Sequence, residues 1–298
     1  MIVVICGPTA SGKSKLAIRL AKDFNGEIIN GDAFQVYKEL KIGTAKPTKE
    51  ELMMATHHLF DYVEPTKNHS VMDYQVEARK TINEILSRKK LVVIVGGTGL
   101  YQKASLYDYT FTEEKENVDL SDLTSLSNEE LYNYLVSLDE KASLKIHPNN
   151  RKRVLRAIAI IRQTGFKKSE IEDAQEHKII YEDVHFVGLN INREELYKKI
   201  NDRVDSMFEE GLVEEVTSLY EKYDFNNNAF KGIGYKEFIP YFEGKNSLEE
   251  TKELIKKNTR NYAKRQFTFF KHQMPTIWCD SIEEAYNYVK GLVNKDEW

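Results

Sequence analysis

The chain has 298 residues, 41% hydrophobic and 30% charged, with a net charge of −4 at neutral pH, enough to bury one large core plus an insertion or a second small domain. Its two cysteines, Cys6 and Cys279, exclude a disulfide framework and a C-x-x-C metal pair and point to a reducing compartment. The acidic balance argues by itself against a nucleic-acid partner. The first apolar run, five residues long, is too short for a signal peptide or a membrane span, so a soluble cytoplasmic protein is expected.

That first run, Ile2–Cys6, reads as a buried strand and leads directly into GPTASGKS, residues 7–14, a G-x-x-x-x-G-K-S phosphate-binding loop. Gly7 and Gly12 let the backbone turn so that amides and a helix N-terminus face one anion, Lys13 adds charge, and Ser14 offers a hydroxyl to Mg²⁺. KLAIRLAKDF follows with Leu16, Leu20 and Phe24 four apart on one helical face. A second strand at 27–29 ends just before Asp32, and a third at 91–95 runs into VGGTGLY, with Gly96, Gly97, Thr98 and Gly99. In open α/β sheets this carboxyl edge is where ligands bind. Asp32 there is a general base, a metal ligand or a helix cap. LVVIV ends in glycines and not in the aspartate expected of an NTP-hydrolysing motor.

Residues 110–180 are polar and read as helices, LSNEELYNYLVSLD and then a segment opened by Pro148 and closed by Gly165. Charge is segregated: residues 113–140 hold nine acids and the single base Lys115, whereas 141–169 hold nine bases and no acid. Strands are expected again at 184–191 and 276–279. A helix carrying Leu196, Ile200, Val204 and Met207 lies between them, and SIEEAYNYVKGLV closes the chain. Residues 254–279 contain no acid and alternate bases with Tyr262, Phe267, Phe269 and Phe270. Such stretches make either a basic face on an acidic protein or solvated helix faces.

Seven ordered segments resemble the tRNA dimethylallyltransferase (tRNA isopentenyltransferase, or IPP transferase) family, bacterial type. They are GPTASGKS, GDAFQVYKELKIGTAKPT, HHLFDYVEP, VGGTGLY, IHPNNRKRVLRAI, GIGYKE and NYAKRQFTFF, and they span nearly the whole chain. The expected fold is α/β, a P-loop kinase-like core with a mostly parallel sheet at 1–110 and 180–298 and a helical insertion domain at 111–179. The resemblance implies transfer of a dimethylallyl group from dimethylallyl diphosphate to the exocyclic amine of the adenine 3′ of the anticodon, in tRNAs that read U-starting codons. It also implies Mg²⁺ as cofactor, the tRNA anticodon loop as partner, and neither a membrane nor an obligate protein partner. The alternatives are an adenylate prenyltransferase, a small-molecule P-loop kinase that uses ATP, and an RNA-binding protein with a vestigial P-loop.

By the same resemblance the catalytic residues are Asp32 as base, Thr98, Lys13 and Arg203. The diphosphate sits on Gly7, Pro8, Thr9, Ala10, Ser11, Gly12, Lys13 and Ser14, with Ser14 on the metal. The tRNA-contacting positions are Asp32, Ala33, Phe34, Gln35 and Thr98, then Lys152, Arg153, Val154, Leu155 and Arg156, then Lys231, Gly232, Ile233, Gly234, Tyr235 and Lys236. His57 and His58 lack cysteine partners and are expected to be structural. The family's proline-containing segment with a tRNA-touching arginine, after GTGLYQKASLYDYTF, is replaced here by the acidic TEEKENVDLSDL, which puts one tRNA contact in doubt.

Overall fold

The computed structural model describes residues 1–111 and 118–294; Glu113, Glu114, Lys115 and Glu116 of the acidic run lie outside them. The chain forms two compact units, Met1–Leu106 with Tyr181–Trp298, and Tyr107–Ile180.

The larger unit is built on a six-stranded sheet, β1 Ile2–Cys6, β2 Gly26–Asn30, β3 Thr56–His58, β4 Leu91–Val95, β5 Val184–Leu189 and β6 Ile277–Cys279, in the order β3-β2-β4-β1-β5-β6. Every pairing is parallel, with Ile2 in register with Val92 on one side and Val184 on the other. Helices cover both faces of such a sheet, which is why IVVIC and LVVIV are apolar throughout. The chain runs from β1 outward to β2 and β3, returns through β4, and then crosses to β5. That reversal beside β1 opens a crevice at the carboxyl ends of the strands.

The helix Lys13–Asp23 buries Leu16, Ala17 and Leu20 on the sheet. It starts at Gly12, whose φ of 94° is left-handed and where a Cβ would lie 2.8 Å from Ile282 Cδ1, so only glycine fits there without strain. Strand β3 is a polar three-residue edge strand with no apolar run to announce it. In the smaller unit the helix Arg151–Thr164 begins where the Asn150 side chain accepts from Arg153 N–H and ends at left-handed Gly165. It packs Val154, Ala157 and Ile158 against Leu131 and Leu135 of the helix Asn128–Leu138.

Candidate active site

The phosphate-binding loop leaves β1 and curls around its own lysine. Lys13 is buried and its ammonium donates to Pro8 O at 2.5 Å. Burial, and then the charge of Arg203, push Lys13 down to about 7. Arg203, from the helix Arg193–Glu209, donates to the Thr9 hydroxyl at 3.4 Å, and burial lowers its pKa as well. Lys13 and Arg203 thus face one cavity of about 940 Å³, and among the described residues no carboxylate is bonded to either. An anion that enters would restore the charge on Lys13. Thr9, Ala10, Gly12, Lys13 and Ser14 line this cavity, whereas Ser11 faces a neighbouring concavity beside Leu189 and Ile282. Gly7 and Pro8 shape the turn from behind.

Asp32 lies in the same cavity, just beyond β2. Its backbone is tied to Asn30, whose side chain accepts from Asp32 N–H at 2.9 Å, and its Oδ1 accepts from Phe34 N–H at 2.9 Å. Burial raises the carboxyl above its usual range, while the amides of Phe34, Gln35 and Gly97 and the charge of Lys13 hold it down. Opposite it, Gly97 leaves no room for a side chain, since a Cβ would stand 2.7 Å from Asp32 Oδ2 and 2.5 Å from Gln266 Nε2. Gly97 O accepts from Tyr262 Oη at 3.0 Å and from Gln266 Nε2 at 2.8 Å, and both side chains come from the helix Leu248–Gln273. Gln266 Oε1 in turn accepts Thr9 N–H at 2.8 Å. The cavity therefore joins an anion cradle to a carboxylate with a raised pKa, the arrangement needed to remove a proton while a negatively charged group departs.

Residues 35–273 match the IPP transferase family. This chain belongs to that family. A tRNA dimethylallyltransferase of Anoxybacillus flavithermus is 46% identical, over 97% of this chain and 96% of the relative. A tRNA delta(2)-isopentenylpyrophosphate transferase of Staphylococcus epidermidis has 40% identity and a TM-score of 0.73, over 99% of this chain and 98% of its own. A eukaryotic dimethylallyltransferase acting on tRNA has 32% identity and a TM-score of 0.86, over 99% of this chain and 78% of its own.

The family motifs converge on the cavity unevenly. Residues 32–35 and 231–236 meet, since a Cβ at Gly232 would touch Phe34 at 3.0 Å, and Phe34, Lys231, Ile233, Gly234 and Lys236 line a smaller cavity with Arg265. Gln35 holds the neighbouring loop through Thr44 O and Ala45 O. Thr98 does not line either cavity. Its hydroxyl accepts from Ala33 N–H at 3.0 Å, which ties it to the residue after Asp32. In the smaller unit Lys152, Arg153 and Arg156 are exposed.

At two of the expected tRNA-contact positions the side chain is buried. Val154 is 0% exposed and belongs to the core of its unit, while Leu155 packs partly against that core. Tyr235 is also 0% exposed, and its hydroxyl donates to Glu215 Oε1 at 2.7 Å. Neither Val154 nor Tyr235 offers a side chain to a partner. Their neighbours in sequence carry the charge because an amphipathic segment alternates core and surface positions.

Gln266 is the site residue that single-residue reading missed. Its signal lay within NYAKRQFTFF, where Tyr262 and Gln266 are four apart and share a helical face. His58 is fixed to Glu27 at 2.7 Å, and His57, lining the main cavity, has its ring Nδ1 2.8 Å from Ala55 O and a pKa lowered by burial. Among the described residues there is no cluster of three or more His, Cys, Asp or Glu placed to hold a metal, and no helix long and apolar enough to cross a membrane.

Proposed function

We propose that this protein transfers the dimethylallyl group of dimethylallyl diphosphate to the exocyclic amine of the adenine 3′ of the anticodon, in tRNAs that read U-starting codons. The observation that carries the reading is the shared cavity of Asp32, Lys13 and Arg203 in a member of the IPP transferase family. The amine's lone pair is delocalised into the purine, so attack on the donor's first carbon needs a base to take the N–H proton. Asp32, whose raised pKa makes it a better proton acceptor than an exposed carboxylate, takes it. The carbon–oxygen bond to the diphosphate breaks as the carbon–nitrogen bond forms, and the leaving group departs with the electron pair. Lys13, Arg203 and the amides at the start of the helix Lys13–Asp23 receive that charge.

Mg²⁺ fits the donor set. The Ser14 hydroxyl is exposed on the cavity and has no protein partner among the described residues, and a hard oxygen donor plus substrate phosphate oxygens is how Mg²⁺ is ordinarily held. Bound there, Mg²⁺ supplies further neutralisation of the leaving diphosphate. A stacked anticodon-loop base must be flipped to reach such a cavity, at a cost of a few kcal/mol. The exposed Lys231, Lys236 and Arg265 around the smaller cavity, and Lys152, Arg153 and Arg156 on the smaller unit, offer phosphate contacts that offset it.

The test is incubation with radiolabelled dimethylallyl diphosphate, Mg²⁺ and unmodified tRNA, with AMP, or ATP plus small alcohols, as rival substrates. Label is expected in tRNA without any nucleoside triphosphate, because the donor is already activated. Label in AMP alone, or a requirement for ATP hydrolysis, overturns the proposal.

A further inference from the structure

The amide of Thr9 faces the cavity as part of the anion cradle, yet it is already occupied: it donates to Gln266 Oε1 at 2.8 Å. The other end of the same side chain donates to Gly97 O at 2.8 Å. Gly97 in turn abuts the Asp32 carboxylate, since a Cβ there would stand 2.7 Å from Asp32 Oδ2. A single carboxamide, 4% exposed on the helix Leu248–Gln273, is therefore bonded both to the loop that cradles the diphosphate and to the turn that faces the base. Its geometry is specific. A carboxamide has one accepting and one donating end, and here each end meets the opposite kind of backbone group.

We propose that Gln266 is a positioning residue that fixes the spacing and orientation of the diphosphate cradle relative to the Asp32 carboxylate. The inference rests on the transfer reaction proposed above. In that reaction the amine, the donor carbon and the leaving oxygen must line up between the two groups, and small misplacements of such groups cost large factors in rate. The strands β1 and β4 are paired up to Ile5 and Val95, and Gln266 carries the tie beyond their ends, from the phosphate loop to the Gly97 turn. The groups that face the Asp32 carboxylate electrostatically are Lys13 from the phosphate-loop helix, Arg203 from the helix Arg193–Glu209, Tyr262 from the helix Leu248–Gln273, and Tyr74 and Tyr101. Gln266 is uncharged and reaches Asp32 through its neighbours, Gly97 and Tyr262.

Two substitutions separate the bonds. Gln266→Met keeps the length and volume of the side chain and removes both bonds. Gln266→Glu keeps an acceptor for Thr9 N–H and removes the donor to Gly97. Single-turnover transfer at saturating tRNA and dimethylallyl diphosphate is expected to fall about 10²-fold in Gln266→Met, with tRNA affinity within threefold of wild type. The acid limb of its pH–rate profile is expected to move upward, because a loosened Gly97 no longer stabilises the ionised Asp32. Gln266→Glu adds a like charge beside Asp32 that alone raises the acid limb, so its rate on the pH plateau is read instead and is expected to fall about tenfold or more, and thermal melts and inorganic diphosphate binding check that both variants are folded. If Gln266→Met melts below the assay temperature, the plateau rate of Gln266→Glu decides the matter, and a value within threefold of wild type overturns the inference. A folded Gln266→Met within threefold of the wild-type rate, or an unmoved acid limb in that folded variant, overturns the inference. If the wild-type protein labels no tRNA, the proposed function fails instead, and the two failures are thereby distinguished.

Discussion

Strand β2 carries a carboxylate near each end, and the two are treated in opposite ways. Glu27, 2% exposed near the start of the strand, is saturated: Arg88 donates at 2.5 and 2.8 Å, Lys90 at 2.7 Å, and His58 lies at 2.7 Å. The bonds from Arg88, against a burial penalty, pull it down to about 2. Asp32, just past the other end, has no ion pair among the described residues, its carboxylate accepts from backbone N–H, and burial raises it. Five residues apart, one carboxylate spends its charge on holding an edge of the sheet together and the other keeps its charge available. A buried acid without a bonded cation is costly, and the cavity tolerates it because Lys13 and Arg203 stand nearby without being consumed.

The contrast breaks most visibly at Asp32. Asp32→Asn is expected to slow single-turnover transfer by about 10² to 10⁴, the usual worth of a general base, without loss of thermal stability. A variant within threefold of the wild-type rate would remove the carboxylate from the chemistry. The next effect is at Glu27. Glu27→Gln is expected to lower stability by roughly 1–2 kcal/mol, allowing for solvent screening of the partly exposed partners, while transfer stays within threefold; denaturant unfolding read beside the activity assay checks both.

The signs with pH are opposite too. The depressed Glu27 contributes stability above its unfolded value, ordinarily near 4.5, and that contribution is lost as pH falls toward about 2. The raised Asp32 opposes folding when ionised, so its penalty is relieved as pH falls through its folded value. The smallest expected effect sharpens the role of the unspent cation. With Lys13 at about 7 in the empty cavity, inorganic diphosphate should bind about fivefold more weakly at pH 8 than at pH 7 and take up close to one proton on binding at the higher pH. Calorimetry in buffers of different ionisation heat reads this directly, and Lys13→Gln should abolish it.

Much of this was legible in the sequence for physical reasons. Strands β1 and β4 are buried on both faces and therefore spelled in unbroken apolar letters, the phosphate loop has glycine at two of its positive-φ positions, Gly7 and Gly12, and Asn150 and Gly165 mark the ends of the helix they cap. What escaped was whatever depends on a partner distant in sequence. Strand β3 exists because His58 meets Glu27 across β2, Gln266 gains its meaning only from Thr9 and Gly97, and Val154 and Tyr235 look like their basic neighbours until packing removes them from the surface.

The order in which the chain is made gives the cavity a further property. Its contributors stretch from Thr9 through Asp32, Gly97 and Arg203 to Gln266, and β1 pairs on one side with a strand that starts only at Val184. Synthesis at roughly 5–20 residues per second thus delivers Asp32 and the phosphate loop many seconds before Arg203 and Gln266. A nascent chain holds a phosphate loop and a carboxylate without the enclosure that would let them act together. The helix Leu248–Gln273, which supplies Tyr262 and Gln266 to the cavity, is the last of its contributors to be made, so a partly made chain lacks that side of the site.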